Sequence, residues 1–225
     1  MTFSIVGRCE RTGAFGVAIS SSSPAVASRC AYVKAGVGAV ATQNVTDPRL
    51  GTALLTQLAI GSDAQTAMSA VSAAAEYPEF RQLTAVAADG STAVFSGANS
   101  LGINGDSTGK DCVAAGNMLA TLDVLTAMVT AFEADPTQAI EHRLIAALEA
   151  GLALGGEAGP VHSAGILAAD SADWPSTNLR IDWSDNPIDE LRALWDLWAP
   201  QKDAYITRAL NPSDAPSYGV PGDDR

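Results

Sequence analysis

The chain has 225 residues, 47% of them apolar, and a formal net charge of −12. This length suits one domain with a substantial core, and the acidity excludes nucleic acid and disfavours anionic membrane surfaces, since phosphate contacts need clustered Lys and Arg. No apolar run reaches transmembrane length and no charged-then-apolar leader opens the sequence, so a cytoplasmic protein without a membrane partner is expected.

Thr2 follows the initiator Met1 directly, and a small residue there is what methionine aminopeptidase tolerates. Loss of Met1 would unite a hydroxyl and a free α-amine on Thr2, and such an amine can serve as general base without any histidine. Its ordinary pKa of ~7.7–8.0 leaves a useful neutral fraction near pH 7. A Met-Thr start alone usually marks only where translation begins; the following residues add weight. Residues 3–8 read as a strand, Cys9 to Gly13 as a tight turn and residues 14–20 as a second strand. Gly13 supplies the positive φ of a short hairpin. A third strand is expected over 35–43, where glycines and alanines leave room for close backbone or ligand approach.

Asp47-Pro48-Arg49 caps a helix over 50–60, and Gly61-Ser62-Asp63 caps another running to residue 75. Residues 82–88 and 91–96 form a hairpin about Asp89-Gly90. A glycine-bearing loop over 102–111, a short strand over 112–116 and a helix over 122–134 follow. Asp135-Pro136-Thr137 opens a helix that stops at Gly155-Gly156. Strands are expected over 161–169 and 179–183, then a last helix over 187–210. Residues 1–210 form the domain, and the tail 211–225 reads as extended or disordered.

The chain resembles an uncharacterised bacterial family of unknown function in the N-terminal nucleophile (Ntn) hydrolase superfamily, some members of which carry a fimbrial or pilin label. The likeness runs over residues 2 to 195, through TFSIVGR, ERTGAFGVAISS, AGVGAVATQN, Glu79-Phe80-Arg81-Gln82, Gly116-Asn117, Leu148-Glu149-Ala150-Gly151, Gly155-Gly156-Glu157, Arg180-Ile181-Asp182 and Asn186-Pro187-Ile188-Asp189-Glu190-Leu191. It implies an α+β fold, a four-layer αββα sandwich of two antiparallel sheets flanked by helices. It also implies hydrolysis of a C–N amide or ureido bond in a small molecule, with Thr2 as nucleophile after removal of Met1. No cofactor or metal is implied, and a homo-oligomer is expected. Two alternatives stand beside this: a non-catalytic binding or assembly protein on the same fold, and a threonine peptidase in a ring assembly.

The oxyanion of such a reaction needs donors. Backbone N–H groups and hydroxyls over 20–23 lie where the second strand ends, so Ser21 is a catalytic candidate, with a locally bonded polar turn as the plain alternative. Arg81, at a helix-to-strand junction, is a candidate for a substrate carboxylate or the oxyanion. Arg29 and Lys34 could lower the amine pKa or be solvated. Gln43 and Asn117, after small-residue strands, are substrate-binding candidates, as is Asn99 on a rim loop that lacks the Lys of a phosphate loop. Asp182 and Asp185 read as structural. With only two histidines in the chain, neither a Ser-His-Asp triad nor a multi-His metal site assembles easily. His142 reads as a surface residue. His162 reads as a core-edge histidine or a substrate contact. Cys9, Cys30 and Cys112 read as buried reduced thiols.

Overall fold

In a computed structural model, which describes residues 1–223, the chain opens with β1 (Thr2–Arg8) and β2 (Phe15–Ser21), a hairpin registered Phe3↔Ser20 to Arg8↔Phe15. A short helix α1 (Ala27–Cys30) leads into β3 (Ala31–Lys34) and β4 (Gly38–Asn44). Helices α2 (Pro48–Ala59) and α3 (Ala64–Ala74) precede the hairpin β5 (Arg81–Ala87) and β6 (Thr92–Ser96). Then come β7 (Gly105–Gly109), β8 (Cys112–Asn117), α4 (Asp123–Glu133), α5 (Ile140–Ala153), β9 (Ser163–Ala169), β10 (Thr177–Ile181), α6 (Pro187–Trp198) and α7 (Lys202–Leu210). The strands form a six-stranded sheet, β10-β9-β2-β1-β8-β7, and a four-stranded sheet, β3-β4-β5-β6. Every pairing in both is antiparallel.

Period-two alternation sorts the side chains into layers. Phe3 and Ile5 of β1 join Phe132, Leu144 and Trp195 under α4, α5 and α6. Val6 of β1 joins Val17 and Ile19 of β2, Ala39 and Ala41 of β4 and Val86 of β5 between the sheets. The outer face of the smaller sheet, with Val40, Leu83 and Ala85, packs on Leu54 of α2 and Met68 of α3. The result is the expected αββα sandwich, its inter-sheet layer built, apart from Phe15, of small and β-branched residues that let the sheets approach closely. Caps fix the helix starts: the Asp47 side chain accepts from the Arg49 N–H with Pro48 in the first turn, and Asp63 accepts from the Thr66 N–H.

Several expected elements shift for identifiable reasons. Residues 35–37 are a turn, with Gly36 at φ +69°, so the strand expected over 35–43 becomes β4, preceded by an unexpected β3. The loop expected over 102–111 holds β7, an edge strand of sequence GDSTG that pairs through its backbone and shows no apolar alternation. Asp135 makes a turn by accepting from the N–H and hydroxyl of Thr137, and α5 begins only at Ile140. The long helix expected over 187–210 is broken into α6 and α7 around Pro200, which has no N–H to carry the ladder through. Residues 211–223 have neither helix nor strand, and the Arg208 guanidinium lies 3.9 Å from the Tyr218 ring centroid and donates to the Pro216 carbonyl. Residues 224 and 225 of the expected tail lie outside the described part.

Candidate functional site

Thr2 begins β1, which lies between β2 and β8 in the interior of the larger sheet and pairs Thr2↔Asn117. Alternation with Phe3 and Ile5, which face the helices, turns Thr2 and Ser4 toward the other sheet. Thr2 is 6% exposed. Its hydroxyl lies 3.3 Å from Ser21 Oγ and against the Met1 carbonyl oxygen, and the Ser21 hydroxyl donates to that same carbonyl. Ser21 Oγ accepts from the Ser23 N–H at 3.1 Å and lies 2.8 Å from the Ser23 hydroxyl, which in turn accepts from Arg29 Nη2 at 2.7 Å. A chain of hydroxyls thus runs from Thr2 through Ser21 and Ser23 to a guanidinium. Arg29 therefore reaches the cluster, while Lys34 is exposed.

Below Thr2 lies a second polar array buried between the sheets. Ser4 Oγ donates to Gln43 Oε1 at 2.7 Å, and Gln43 Nε2 to Gln82 Oε1 at 2.9 Å. Asn117 Nδ2 donates to the same Gln82 oxygen at 3.1 Å, and Gln82 Nε2 donates to the Gly116 carbonyl at 3.0 Å and Ser96 Oγ at 3.1 Å. Gln43 and Asn117 are each 1% exposed. Gln43 is committed at both ends of its amide to protein groups, so it acts as a brace between sheets where a substrate contact was expected. Asn117 keeps one free valence, its buried Oδ1, which has no hydrogen-bond partner.

After Asn117 the alternation breaks at Met118, whose φ of +49° is uncommon for a non-glycine residue. Leu119 consequently packs in the helix-side core, although Asn117, two residues earlier, faces the other sheet. Both edges of this turn are tied down. Met118 donates its N–H to the Leu101 carbonyl and accepts from the Ala158 N–H, Ala120 donates to the Gly156 carbonyl, and Leu119 bridges to Glu157. Residues 156–159 are thereby stitched beside the N-terminus, and a Cβ built on Gly159 would lie 3.2 Å from the Met1 methyl.

Glu157 is the residue that sequence reasoning missed. It is 3% exposed, and neither carboxylate oxygen has a hydrogen-bond partner. Burial pushes its pKa up to about 7; the nearby hydroxyl and N–H of Ser22, the N-terminal amine and His162 offset this only in part. Ser22 is close without reaching hydrogen-bonding geometry. Unpartnered buried polar groups are rare, and perturbed carboxyls concentrate at functional sites. The only signal in the sequence was its place after two glycines, which at positive φ read simply as a helix stop.

Arg81 donates to the Val45 carbonyl at 2.7 Å and to the Glu76 carbonyl at 3.2 Å, pinning two loops, so its guanidinium is engaged there and makes no bond to the Thr2 cluster. Asn99 is exposed on the loop after β6. His162 stacks on Trp183 with ring centroids 4.4 Å apart, and its Nδ1 lies 3.2 Å from the Ser184 carbonyl and 3.6 Å from Asp185. Its backbone N–H donates to the Ser21 carbonyl, which ties it to the end of β2. Asp182 pairs with Arg180 at 2.9 Å. His142 is exposed, and the three cysteines are free and buried. Among the described residues no group of three His, Cys, Asp or Glu side chains is placed to hold a metal. Cavities of about 390 Å³ beside α2 and α3, and of about 500 Å³ beside Arg8 and Arg143, lie away from Thr2, where Met1 fills the space.

The model of a family described as of unknown function, DUF1028, matches residues 2–191. The crystal structure of a protein of that family from Silicibacter pomeroyi superimposes with a TM-score of 0.81 at 33% identity, over 88% of this chain and 89% of that one. Anbu, an ancestral β-subunit, from Yersinia bercovieri gives a TM-score of 0.39 at 10% identity over 90% of this chain and 97% of that one. A Gly-1 mutant of Anbu from Hyphomicrobium sp. strain MC1 gives 0.43 at 10% identity over 91% and 97%. These last two likenesses are too slight to bear on function. No curated protein matches the chain. No helix among the described residues is long and apolar enough to cross a membrane.

Proposed function

We propose that this chain, which belongs to the DUF1028 family, hydrolyses a C–N amide or ureido bond in a small molecule, with Thr2 as N-terminal nucleophile once Met1 is removed. The observation that carries the reading is the convergence of the Thr2 and Ser21 hydroxyls on the Met1 carbonyl oxygen. That carbonyl is itself an acyl oxygen held beside the proposed nucleophile by a second hydroxyl donor, which supports the reading. When Met1 leaves, the space it held opens next to Thr2, and the Ser21 hydroxyl, released from the Met1 carbonyl, is available to donate to a developing oxyanion.

In the reaction the Thr2 α-amine takes the proton of Thr2 Oγ as the oxygen attacks the substrate carbonyl. The oxyanion is held by the Ser21 hydroxyl, which the Ser23–Arg29 chain polarises. The amine then returns the proton to the leaving nitrogen as the C–N bond breaks, and water hydrolyses the resulting Thr2 ester with the same amine as base. The inter-sheet brace of Ser4, Gln43, Gln82 and Asn117 holds the floor of the site rigid. This reading takes the protein as a cytoplasmic homo-oligomer that needs no cofactor.

Intact-mass measurement of protein purified from its native host tests the premise, and Thr2→Ala screened with wild type against small amides and ureides tests the reaction. Loss of one Met and a turnover abolished in Thr2→Ala are expected. Full retention of Met1 would refute N-terminal catalysis and favour a binding protein on the same fold.

A further inference from the structure

We propose that Glu157 is the positioning residue for the α-amine that Thr2 acquires when Met1 leaves: its carboxylate accepts a hydrogen bond from that amine and stabilises the ammonium formed during attack. The inference rests on the reading of Thr2 as nucleophile and adds to it the group that completes the base.

Three observations place Glu157 there. Its segment is sewn to residues 118–120, which directly follow Asn117, the register partner of Thr2. Gly159, two residues on, lies against the Met1 side chain. The carboxyl group is 3% exposed and both its oxygens lack partners. A buried carboxyl with two empty acceptor sites is costly unless something supplies donors, and a free α-amine carries up to three. The titratable groups that face Glu157 are the N-terminal amine and His162. Ser22 is the remaining donor at hand, and it leaves the carboxylate free to turn to the amine.

The chemistry is that of a buried acid behind a base. As Thr2 Oγ bonds to the substrate carbon, its proton moves to the α-amine, which becomes an ammonium. The Glu157 carboxylate, hydrogen-bonded to it, lowers the energy of that charge in a site of low dielectric. When the proton passes on to the leaving nitrogen the ammonium is neutral again, and Glu157 has neither gained nor lost a proton. In the state competent for attack both groups are deprotonated, a carboxylate accepting from a neutral amine, and because they interact closely they titrate as a pair.

The test uses mature protein whose loss of Met1 is verified by mass, with a β-lactone as acylating probe of Thr2 Oγ and intact mass as the readout from pH 5 to 9. Thr2→Ala is the unlabelled control. Glu157→Gln is expected to slow labelling at pH 7 at least tenfold and to move the acidic limb of the pH profile to lower pH, and Glu157→Asp to restore part of both. Labelling of Glu157→Gln at the wild-type rate with the wild-type profile overturns the proposal and leaves Thr2 as nucleophile. Absence of Thr2 labelling in the wild type overturns the nucleophile reading and this inference with it. Should Glu157→Gln not fold, NMR titration of the wild type decides: the ¹⁵N-labelled Thr2 amine and the Glu157 ¹³Cδ are expected to move together with pH, and independent titrations overturn the pairing.

Discussion

Gln82 is the hub of the polar array between the sheets, and Gln82→Leu is the perturbation that best probes it. Leucine nearly conserves the volume but removes an amide that accepts from Gln43 and Asn117 and donates to the Gly116 carbonyl and Ser96. Ser96 is exposed and can turn to water. The Gln43 and Asn117 amide N–H groups are buried and would be orphaned at about 1–3 kcal/mol each, and the Gly116 carbonyl, registered with Gly105 in the sheet, would lose its side-chain donor. They share one site and can relax together, so the sum falls below simple addition, and about 3–5 kcal/mol is expected. Set against a domain stability of roughly 5–15 kcal/mol, this is a large fraction. In urea the midpoint should drop with the slope unchanged, and the melting temperature should fall by about 6–20 °C. A loss below about 1 kcal/mol would refute the claim that the array is closed to water. The cycle with Gln43→Leu adds a check, because two groups of one network must be non-additive.

In the chain that retains Met1, the raised pKa of Glu157, about 7, means that its neutral form is favoured by folding. Its contribution to stability is thus fully present below the unfolded-state pKa and is lost as pH rises through 7, by on the order of 3 kcal/mol. Urea unfolding of wild type and Glu157→Gln from pH 4 to 8 should show that slope in the first and not in the second. Arg81→Lys, which cannot reproduce the fork onto Val45 and Glu76, should lose about 1.5–3 kcal/mol by the same assay while leaving Thr2 acylation intact. Leu144→Ala, in the core under the larger sheet, should cost about 2–5 kcal/mol. Burial pushes the Cys112 thiol up to about 12, so it should resist a disulfide reagent at pH 8 in the native protein and react on unfolding.

What the sequence disclosed and what it hid divide along physical lines. The β1–β2 hairpin, the caps at Asp47 and Asp63 and the Asp89-Gly90 turn were legible because each is a local pattern of turn residues or apolar periodicity. β7 was not, because an edge strand held by backbone bonds needs no apolar alternation, and β3 was hidden by the Ser- and Ala-rich stretch before it. Within the site, Thr2 and Ser21 stood out as residue types at strand ends. That Gln43 is a brace, or that Arg81 is spent on loop carbonyls, depends on which strands pair, and this is set by contacts distant in sequence. Glu157 could be found only once the turn at Met118 had placed its segment against the N-terminus.

The position of β1 in the interior of its sheet sets a timetable for synthesis. The smaller sheet is a meander of neighbours from residue 31 to 96, whereas β1 must wait for β8 at residues 112–117 and β2 for β9 at 163–169. Such pairings are made late, since loop closure must precede them. At about 5–20 residues per second, the N-terminus is left open at the ribosome for on the order of ten seconds before its second neighbour emerges. After that Met1 is clasped by Ser21 and lies over Gly159. On the proposed reading, release of the Thr2 amine is set by a race on the nascent chain, between an aminopeptidase and the arrival of one strand.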